Sequence, residues 1–297
     1  MTNLKTAFLE TRPQFLLLSV VLVMVGTGAA YLSGYRHITH TILALIGLVA
    51  LHISVNVLND YHDFKTGIDL HTTRTPFSGG SGLLPIGRIP PETARRIGLT
   101  SLGIGCMIGI YFTFTAGWEF LMILLPGIFM IYAYNPLLST LAIGEMSAGL
   151  GLGFLPVVGI YFIITGKVTP LAFFAGVPPF LLTFNLLFLN EFPDAEADRM
   201  GGRRHIVIRL GKRKAGILYT FITLLTYLWV PFGILMGIFP SWTLLSLLTL
   251  PFAIRAIKGA LMDYDQGERL VPAQGANVAM VLLTQALLAV GFFLAAP

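Results

Sequence analysis

The sequence predicts an all-α, multi-pass membrane protein with nine transmembrane helices around a central cavity that opens to the cytoplasmic face. Of its 297 residues, 55% are hydrophobic and only 11% are charged, and the mean hydropathy is +0.80. Soluble domains carry about 25% charged residues, whereas one bilayer crossing needs about 20 mainly apolar residues. The composition therefore excludes a disordered chain, a coiled coil and most cytosolic enzymes.

Nine apolar stretches are long enough to cross a bilayer. They lie at roughly 14–33, 38–58, 97–115, 118–135, 142–164, 169–189, 215–238, 241–258 and 274–295. We expect a single membrane-embedded domain over residues 1–297, in which two longer cytoplasmic connections, at about 60–96 and 190–214, carry the functional site. The single cysteine, Cys106, lies in an apolar stretch, so no intramolecular disulfide or cysteine-based metal site can form.

The basic residues predict the orientation of the chain in the membrane. Most of the 19 Lys and Arg residues fall in the N-terminal segment or in the connections after the second, sixth and eighth spans. Because basic residues concentrate on the cytoplasmic side, we expect a cell-membrane protein with a cytoplasmic N-terminus and an external C-terminus. Of the 14 acidic residues, only Glu119 is assigned to the outside, which indicates that a cytoplasmic feature uses carboxylates.

The second span ends in a cluster of amide and carboxylate side chains. If its helix continues through Asp63, then Asn56, Asp60 and Asp63 lie at positions i, i+4 and i+7 and share one face. Gly67 is predicted to end this helix, after which Asp69 can fold back toward the same place.

The sixth span ends in a matching cluster, in which Asn190, Asp194 and Asp198 lie at i, i+4 and i+8. Glu196 is expected to point away from that face into solvent. A solvated helix end is the alternative interpretation, but acids at a helix C-terminus oppose the helix dipole, and like charges four residues apart repel. Two matching clusters favour a site for Mg²⁺, which prefers hard oxygen ligands, with ions on either side of a diphosphate.

Three arginines near the two clusters are candidate anion ligands. Arg74 precedes a Gly- and Ser-rich turn whose backbone N–H groups can face an anion, and we predict that Arg74 binds phosphate. Arg203 follows the second cluster, and Arg12 opens the first span. Each has an alternative interpretation. Arg203 could serve only to set the orientation of the chain in the membrane, and Arg12 could simply extend its charged end to the membrane–water interface.

These residues resemble the two aspartate motifs of the UbiA superfamily of intramembrane prenyltransferases, in the forms Asn59-Asp60-x-x-Asp63 with Asp69, and Asn190-x-x-x-Asp194-x-x-x-Asp198. The resemblance covers nearly the whole chain. The spacing of the first motif, and the segment Ile208-Arg209-Leu210-Gly211, look most like the branch of 1,4-dihydroxy-2-naphthoate polyprenyltransferases of menaquinone synthesis. One feature departs from the family, because the segment 132–140 lacks the lysine that many members carry there.

The resemblance implies Mg²⁺-dependent transfer of a polyprenyl chain from an allylic prenyl diphosphate to an aromatic acceptor, which is 1,4-dihydroxy-2-naphthoate in this branch. Metal binding and catalysis are then assigned to Asp60, Asp63, Asp194 and Asp198, with Arg74 as a further catalytic residue. Substrate binding is assigned to Asn56, Asn59, Tyr61, Asp69, Asn190, Arg12 and Arg203. The expected partners are the two small-molecule substrates and the lipid bilayer, with neither nucleic acid nor a protein partner.

Two alternatives stay open. The acceptor of another branch is possible, namely 4-hydroxybenzoate, homogentisate, a haem or a glycerophosphate lipid. A cation-coupled transporter would also carry intramembrane acids and an internal repeat. The acids here lie at the cytoplasmic ends of helices and not at mid-span, which disfavours a transporter.

Overall fold

The computed structural model describes residues 3–72 and 74–297, and within these ranges it contains helices and turns but no strand. The α-helices are α1 (Leu4–Glu10), α2 (Leu17–Leu32), α3 (Ile38–Thr66), α4 (Pro91–Ala116), α5 (Leu121–Ala133), α6 (Gly144–Gly149), α7 (Leu155–Thr165), α8 (Pro170–Met200), α9 (Ile206–Leu210), α10 (Lys212–Leu235), α11 (Leu250–Met262) and α12 (Gly267–Ala295). Short 3₁₀ segments precede α2, α5 and α11, another follows α3, and π-helical turns follow α5 and α6.

The helical segments match the expected membrane architecture. In the part of the chain that is described, eight are long and apolar enough to cross a bilayer by length and composition. The predicted fourth span corresponds to a shorter apolar helix, Trp118–Ala133. The all-α, multi-pass fold is therefore confirmed, with eight long helices and one short one in place of nine similar spans.

Two helices extend beyond the ends that hydropathy predicted. We expected connections from about residues 60 and 190, but α3 continues to Thr66 and α8 to Met200. Those expected boundaries are wrong because hydropathy marks where a helix leaves apolar surroundings, not where its hydrogen bonds end. Gly67 ends α3 with φ of 78°, a left-handed conformation that glycine adopts without a steric penalty.

A buried polar network holds the centre of the bundle together. The Asn185 amide on α8 donates to the Tyr219 carbonyl oxygen at 3.2 Å and to Thr223 Oγ1 at 2.9 Å, both on α10. Tyr219 in turn donates from its hydroxyl to Asn277 Oδ1 on α12 at 2.9 Å, and the Asn277 amide donates to the Asn185 carbonyl oxygen at 3.0 Å. Because polar groups in apolar surroundings need partners, this network fixes how α8, α10 and α12 pack.

The outer surface of the bundle is apolar. Large side chains on α4 and α10 are exposed, among them Phe114 at 86% and Leu235 at 80% of their full accessible surface. Soluble proteins rarely expose such continuous apolar surface, whereas contact with lipid favours it.

Close packing between α10 and α11 depends on Gly216. A Cβ atom placed there would overlap the backbone carbonyl oxygen of Ala260. We expect Gly216→Ala to force the two helices apart and to lower stability by about 1–3 kcal/mol. The measurement is the midpoint of thermal unfolding in detergent. Gly103→Ala on α4 is the control, because a Cβ there has nothing within 4 Å, and an equal loss from both variants would contradict the packing argument.

Candidate functional site

The ends of α3 and α8 meet at a cavity of about 210 Å³. Its polar wall contains nine of the residues predicted from the sequence, namely Arg12, Asn56, Asn59, Asp63, Asp69, Asn190, Asp194, Asp198 and Arg203. Deeper, the wall becomes apolar and includes Leu18, Val55, Met130, Ile131, Leu152 and Leu186. The structure thus brings together two motifs that lie far apart in the sequence.

Helical periodicity explains how each motif reaches the cavity. On α8, Asn190, Asp194 and Asp198 share one face, as predicted. Glu196 lies off that face, is exposed, and pairs with Arg199 at 2.8 Å, as expected. After the end of α3 at Gly67, the chain turns so that Asp69 is buried at the cavity wall.

Arg203 joins the two motifs directly. Its guanidinium donates to Asp63 Oδ1 and, at 2.8 Å, to Asp198 Oδ1. The same group approaches Asn59 Oδ1 at 3.4 Å and Asn135 Oδ1 at 3.3 Å. Burial by itself lowers the pKa of Arg203, but the two carboxylates outweigh burial and raise this pKa above its ordinary value. Arg203 therefore stays charged and neutralises part of the acidic cluster.

Asp60 faces the Gly- and Ser-rich loop and lies behind the cavity wall. Its Oδ2 accepts a hydrogen bond from the Ser81 N–H at 2.7 Å. Gly80 has a φ of 70°, and a Cβ there would lie only 3.1 Å from Asp60 Oδ1. Only glycine lets the loop approach the carboxylate this closely without strain. This loop therefore covers one side of the first motif.

Arg12 reaches the same carboxylate from the N-terminal side. Its backbone adopts a left-handed conformation with φ of 55°, which is uncommon for a residue other than glycine. Asn56 holds the preceding residue in place by donating from its amide to the Thr11 carbonyl oxygen at 3.1 Å. The Arg12 guanidinium then lies 3.7 Å from Asp60 Oδ1 and stacks over the Phe15 ring. The N-terminal segment thus supplies a second cation at the mouth.

Besides Asp60, two further predicted residues lie away from the cavity wall. Arg74 is exposed, and its Nε donates to the Gly79 carbonyl oxygen at 3.0 Å, within its own loop. Tyr61 is half-buried on α3, and the Lys65 ammonium lies 5.8 Å from the centre of its ring. Arg203 and Arg12, not Arg74, are thus the arginines that face the cavity.

The donor atoms of the site fit a hard divalent cation. Two of the predicted metal ligands, Asp60 and Asp194, each have a buried Oδ1 without a hydrogen-bond partner among the residues described. Carboxylate and amide oxygens make up the polar wall, and these are the ligand types that Mg²⁺ prefers. Asp69 gives a further indication of unbalanced negative charge. Burial first, and then Asp63 and Asp60, raise the pKa of Asp69 to about 7.

Sequence reasoning missed Glu10, which is fully buried beside the site. Its Oε2 accepts a hydrogen bond from Ser81 Oγ at 2.7 Å, so the end of α1 holds the loop that covers Asp60. Burial first, and then Asp60, raise the pKa of Glu10 to about 7. The segment before the first span gave no sequence signal for this role, because the contact joins residues 71 positions apart.

A second cavity, of about 100 Å³ and lined by apolar side chains and glycines, lies between α3, α4, α5 and α7. It shares Ile131, Gly151 and Leu152 with the first cavity. An apolar slot therefore lies next to the deep end of the polar site.

Glu10 should make stability depend on pH. Its pKa in the folded state, about 7, exceeds the ordinary value of 4.5, so folding favours its protonated form. The resulting contribution to the free energy of unfolding is complete below about pH 4.5 and is lost as the pH rises through about 7. Its size is about 1.4 kcal/mol for each unit by which the two pKa values differ. We expect Glu10→Gln to lose less stability than wild type as the pH rises from about 4.5 to about 7. The measurement is the midpoint of thermal unfolding across this pH range, in a detergent buffer that contains a chelator. The exposed Glu92→Gln is the control, and equal slopes for Glu10→Gln and wild type would contradict the assignment.

Comparison of the sequence with known proteins finds relatives from one enzyme family. A model of the UbiA prenyltransferase family matches residues 19–283. A 1,4-dihydroxy-2-naphthoate octaprenyltransferase of Bacillus subtilis (strain 168) is 28% identical over 256 residues, which cover 85% of this chain and 81% of that protein. An enzyme of the same description from Escherichia coli (strain K12) is 25% identical over 298 residues, covering 97% and 95%.

Solved structures share the fold. A UbiA homologue from Aeropyrum pernix K1 aligns with a TM-score of 0.72 at 16% identity, over 93% of this chain and 97% of that one. A UbiA homologue from Archaeoglobus fulgidus bound to GPP and Mg²⁺ aligns with a TM-score of 0.61 at 14% identity, over 94% and 98%. With a family model that matches most of its length and a helical fold shared over nearly all of it, the chain belongs to the UbiA prenyltransferase family and is a membrane enzyme that transfers prenyl groups.

Proposed function

We propose that this enzyme transfers a polyprenyl chain from an allylic prenyl diphosphate to 1,4-dihydroxy-2-naphthoate. The observation that carries the proposal is the two aspartate motifs on one wall of a cavity that continues into an apolar slot. The choice of acceptor is supported by the relatives from Bacillus subtilis and Escherichia coli, both described as 1,4-dihydroxy-2-naphthoate octaprenyltransferases.

The diphosphate binds at the polar mouth of the cavity. Arg12 and Arg203 face this space and can donate to phosphate oxygens. Arg74 donates to Gly79, which lines the cavity, and a shift of its exposed loop would bring its guanidinium to the same oxygens. Asp63, Asp194 and Asp198 on the cavity wall would hold Mg²⁺, together with Asp60 once its carboxylate turns from the loop toward the cavity. A UbiA homologue of similar fold is bound to GPP and Mg²⁺. When bound, the metal neutralises the negative charge that develops on the departing diphosphate.

The isoprenoid chain extends into the apolar slot. Breaking the bond between the allylic carbon and the diphosphate oxygen leaves positive charge on that carbon, which water would capture. Apolar side chains such as Ile131 and Leu152 exclude water where the two cavities meet. The electron-rich ring then forms the new carbon–carbon bond.

Loss of carbon dioxide completes the reaction. The acceptor carries a carboxylate on the ring carbon that is attacked, and its departure as carbon dioxide returns the bonding electron pair to the ring. No proton has to be removed from that carbon, so the cavity needs no dedicated base for it. Asn190 and Asp69 line the cavity and would orient the acceptor, whereas Tyr61 lies outside the cavity wall and has no such role in this arrangement.

The test is an assay of the purified enzyme in detergent. Labelled geranylgeranyl diphosphate and Mg²⁺ are offered with 1,4-dihydroxy-2-naphthoate, 4-hydroxybenzoate or homogentisate. The expected product is a prenylated naphthalene that has lost the carboxyl group. Turnover of 4-hydroxybenzoate or homogentisate alone would assign the enzyme to another branch of the family.

Carboxylates at the motifs should be essential. We expect Asp60→Asn and Asp194→Asn to abolish turnover while leaving protein abundance unchanged, because each change removes a metal ligand and leaves diphosphate charge uncompensated. Glu196→Gln, which alters an exposed side chain on the same helix, should cost little. Rates are compared in the detergent assay, and equal losses from all three variants would contradict the assignment of the helix faces.

Arg74 should act on the diphosphate and not on the acceptor. We expect Arg74→Ala to lower kcat/KM for the prenyl diphosphate by at least about tenfold, the effect of one charge-assisted contact. The KM for the acceptor should barely change. Arg199→Ala removes a comparable exposed charge at the end of α8 and serves as the control. If Arg74→Ala instead raises only the acceptor KM, the loop belongs to the acceptor pocket.

The mouth of the cavity should face the cytoplasm, with the N-terminus inside and the C-terminus outside. In a Cys106→Ser background, membrane-impermeant thiol reagents applied to intact cells should miss Ile86→Cys and Arg204→Cys, because the basic connections stay inside. They should label Val168→Cys, an exposed position in the opposite connection. Labelling of Ile86→Cys or Arg204→Cys from outside would reverse the proposed orientation.

A further inference from the structure

Three buried side chains converge directly behind the second aspartate motif. Glu145 lies near the start of α6, Glu191 lies on α8, and His205 precedes α9. Each offers one ligand atom, and these atoms lie within 4.8 Å of one another. Their exposed fractions are 0%, 7% and 2%, so the cluster is shielded from bulk solvent.

The polar atoms of this cluster are left without partners. Glu145 uses Oε1 to accept the Ile206 N–H at 2.6 Å, which leaves its Oε2 free. Among the residues described, neither Oε2 of Glu145 and Glu191 nor either ring nitrogen of His205 has a hydrogen-bond partner. Burying a polar atom without a partner is unfavourable, and burying a charged one is more so.

The position of Asp198 decides which nitrogen of His205 carries a proton. His205 Nε2 lies 3.2 Å from Asp198 Oδ2, and the negative charge of Asp198 favours a proton on that nitrogen. Nδ1 is then a lone pair, 3.6 Å from Glu191 Oε2. A nitrogen lone pair beside two carboxylates is repulsive unless a proton or a metal ion lies between them. Metal-bound histidines commonly have this arrangement, with the second nitrogen facing a carboxylate.

Arg203 is nearby but does not supply a cation to this cluster. Arg203 directs its guanidinium to Asp63 and Asp198 and to two asparagines, and it forms no ion pair with Glu145 or Glu191 in the described ranges. The cluster therefore lacks a cation from the surrounding side chains.

We propose that Glu145, Glu191 and His205 bind a divalent first-row transition metal, such as Mn²⁺ or Zn²⁺, at a site separate from the Mg²⁺ site of the aspartate motifs. An imidazole with two carboxylates suits these ions, whereas Mg²⁺ prefers oxygen ligands alone. Glu191 and His205 also line the cavity, so water can complete the coordination. The ion ties α6, α8 and the segment before α9 together, independently of which acceptor is prenylated.

The test measures metal binding and does not depend on turnover. The purified full-length protein is stripped with chelator, reloaded with Mn²⁺ in a large excess of Mg²⁺ and freed of unbound metal. Elemental analysis gives the Mn²⁺ content per chain, and pulsed electron paramagnetic resonance reports whether nitrogen coordinates it. We expect retained Mn²⁺ with nitrogen coupling, because the aspartate motifs offer oxygen ligands only.

Variants separate this site from the aspartate motifs. Glu145→Gln should lower Mn²⁺ affinity by at least about tenfold, and His205→Gln should abolish the nitrogen coupling. Asp60→Asn alters the other site and should leave the coupling unchanged. Absence of nitrogen coupling in the wild type at full Mn²⁺ loading, or its persistence in His205→Gln, overturns the proposal. The wild-type measurement decides the question even if a variant fails to fold.

Discussion

Arg203 lies between Asp63 and Asp198, and the geometry of the site depends on this contact. The two carboxylates come from different motifs on different helices, and like charges at this depth would repel without a cation. The guanidinium fork joins both, so the ends of α3 and α8 can meet at one cavity. Because all three groups are largely buried, loss of one partner would leave an uncompensated charge and would cost about 3–5 kcal/mol.

The site nevertheless keeps an excess of negative charge. Among the described residues, five carboxyl side chains face the cavity, and the arginines that face it are Arg12 and Arg203. The five are Asp63, Asp69, Glu191, Asp194 and Asp198. The raised pKa values of Asp69 and Glu10 follow from this excess together with burial. Such a site has a lower free energy when further cations enter, and a metal–diphosphate complex brings them. The same electrostatic imbalance would favour binding of the metal and diphosphate that we propose at this site.

The helical bundle has to stabilise this polar site within an apolar environment. It does so with buried hydrogen bonds among α8, α10 and α12, and with glycines where helices approach closely. Hydrophobic association between helices is weak in lipid, so packing and polar contacts carry more of the stability. The apolar slot beside the site needs no polar support, which suits the isoprenoid chain that we propose it binds, with the diphosphate at the polar mouth.

The sequence by itself determined the all-helical membrane class, the two motifs and the shared face of Asn190, Asp194 and Asp198, because hydropathy and helical periodicity are local properties. The face predicted for the first motif holds for Asn56 and Asp63, whereas Asp60 lies behind the cavity wall against the loop. Hydropathy placed the ends of α3 and α8 too early, since it reports the surroundings of a helix and not its hydrogen bonds, whereas the prediction that Gly67 ends α3 is confirmed. Only the tertiary structure decided that Arg203 faces the cavity while Arg74 lies on an exposed loop, and that Glu10 holds the loop over Asp60. It alone also brought Glu145 to His205. These contacts join residues 60 to 140 positions apart, and their partners are set by helix packing, which no local pattern records.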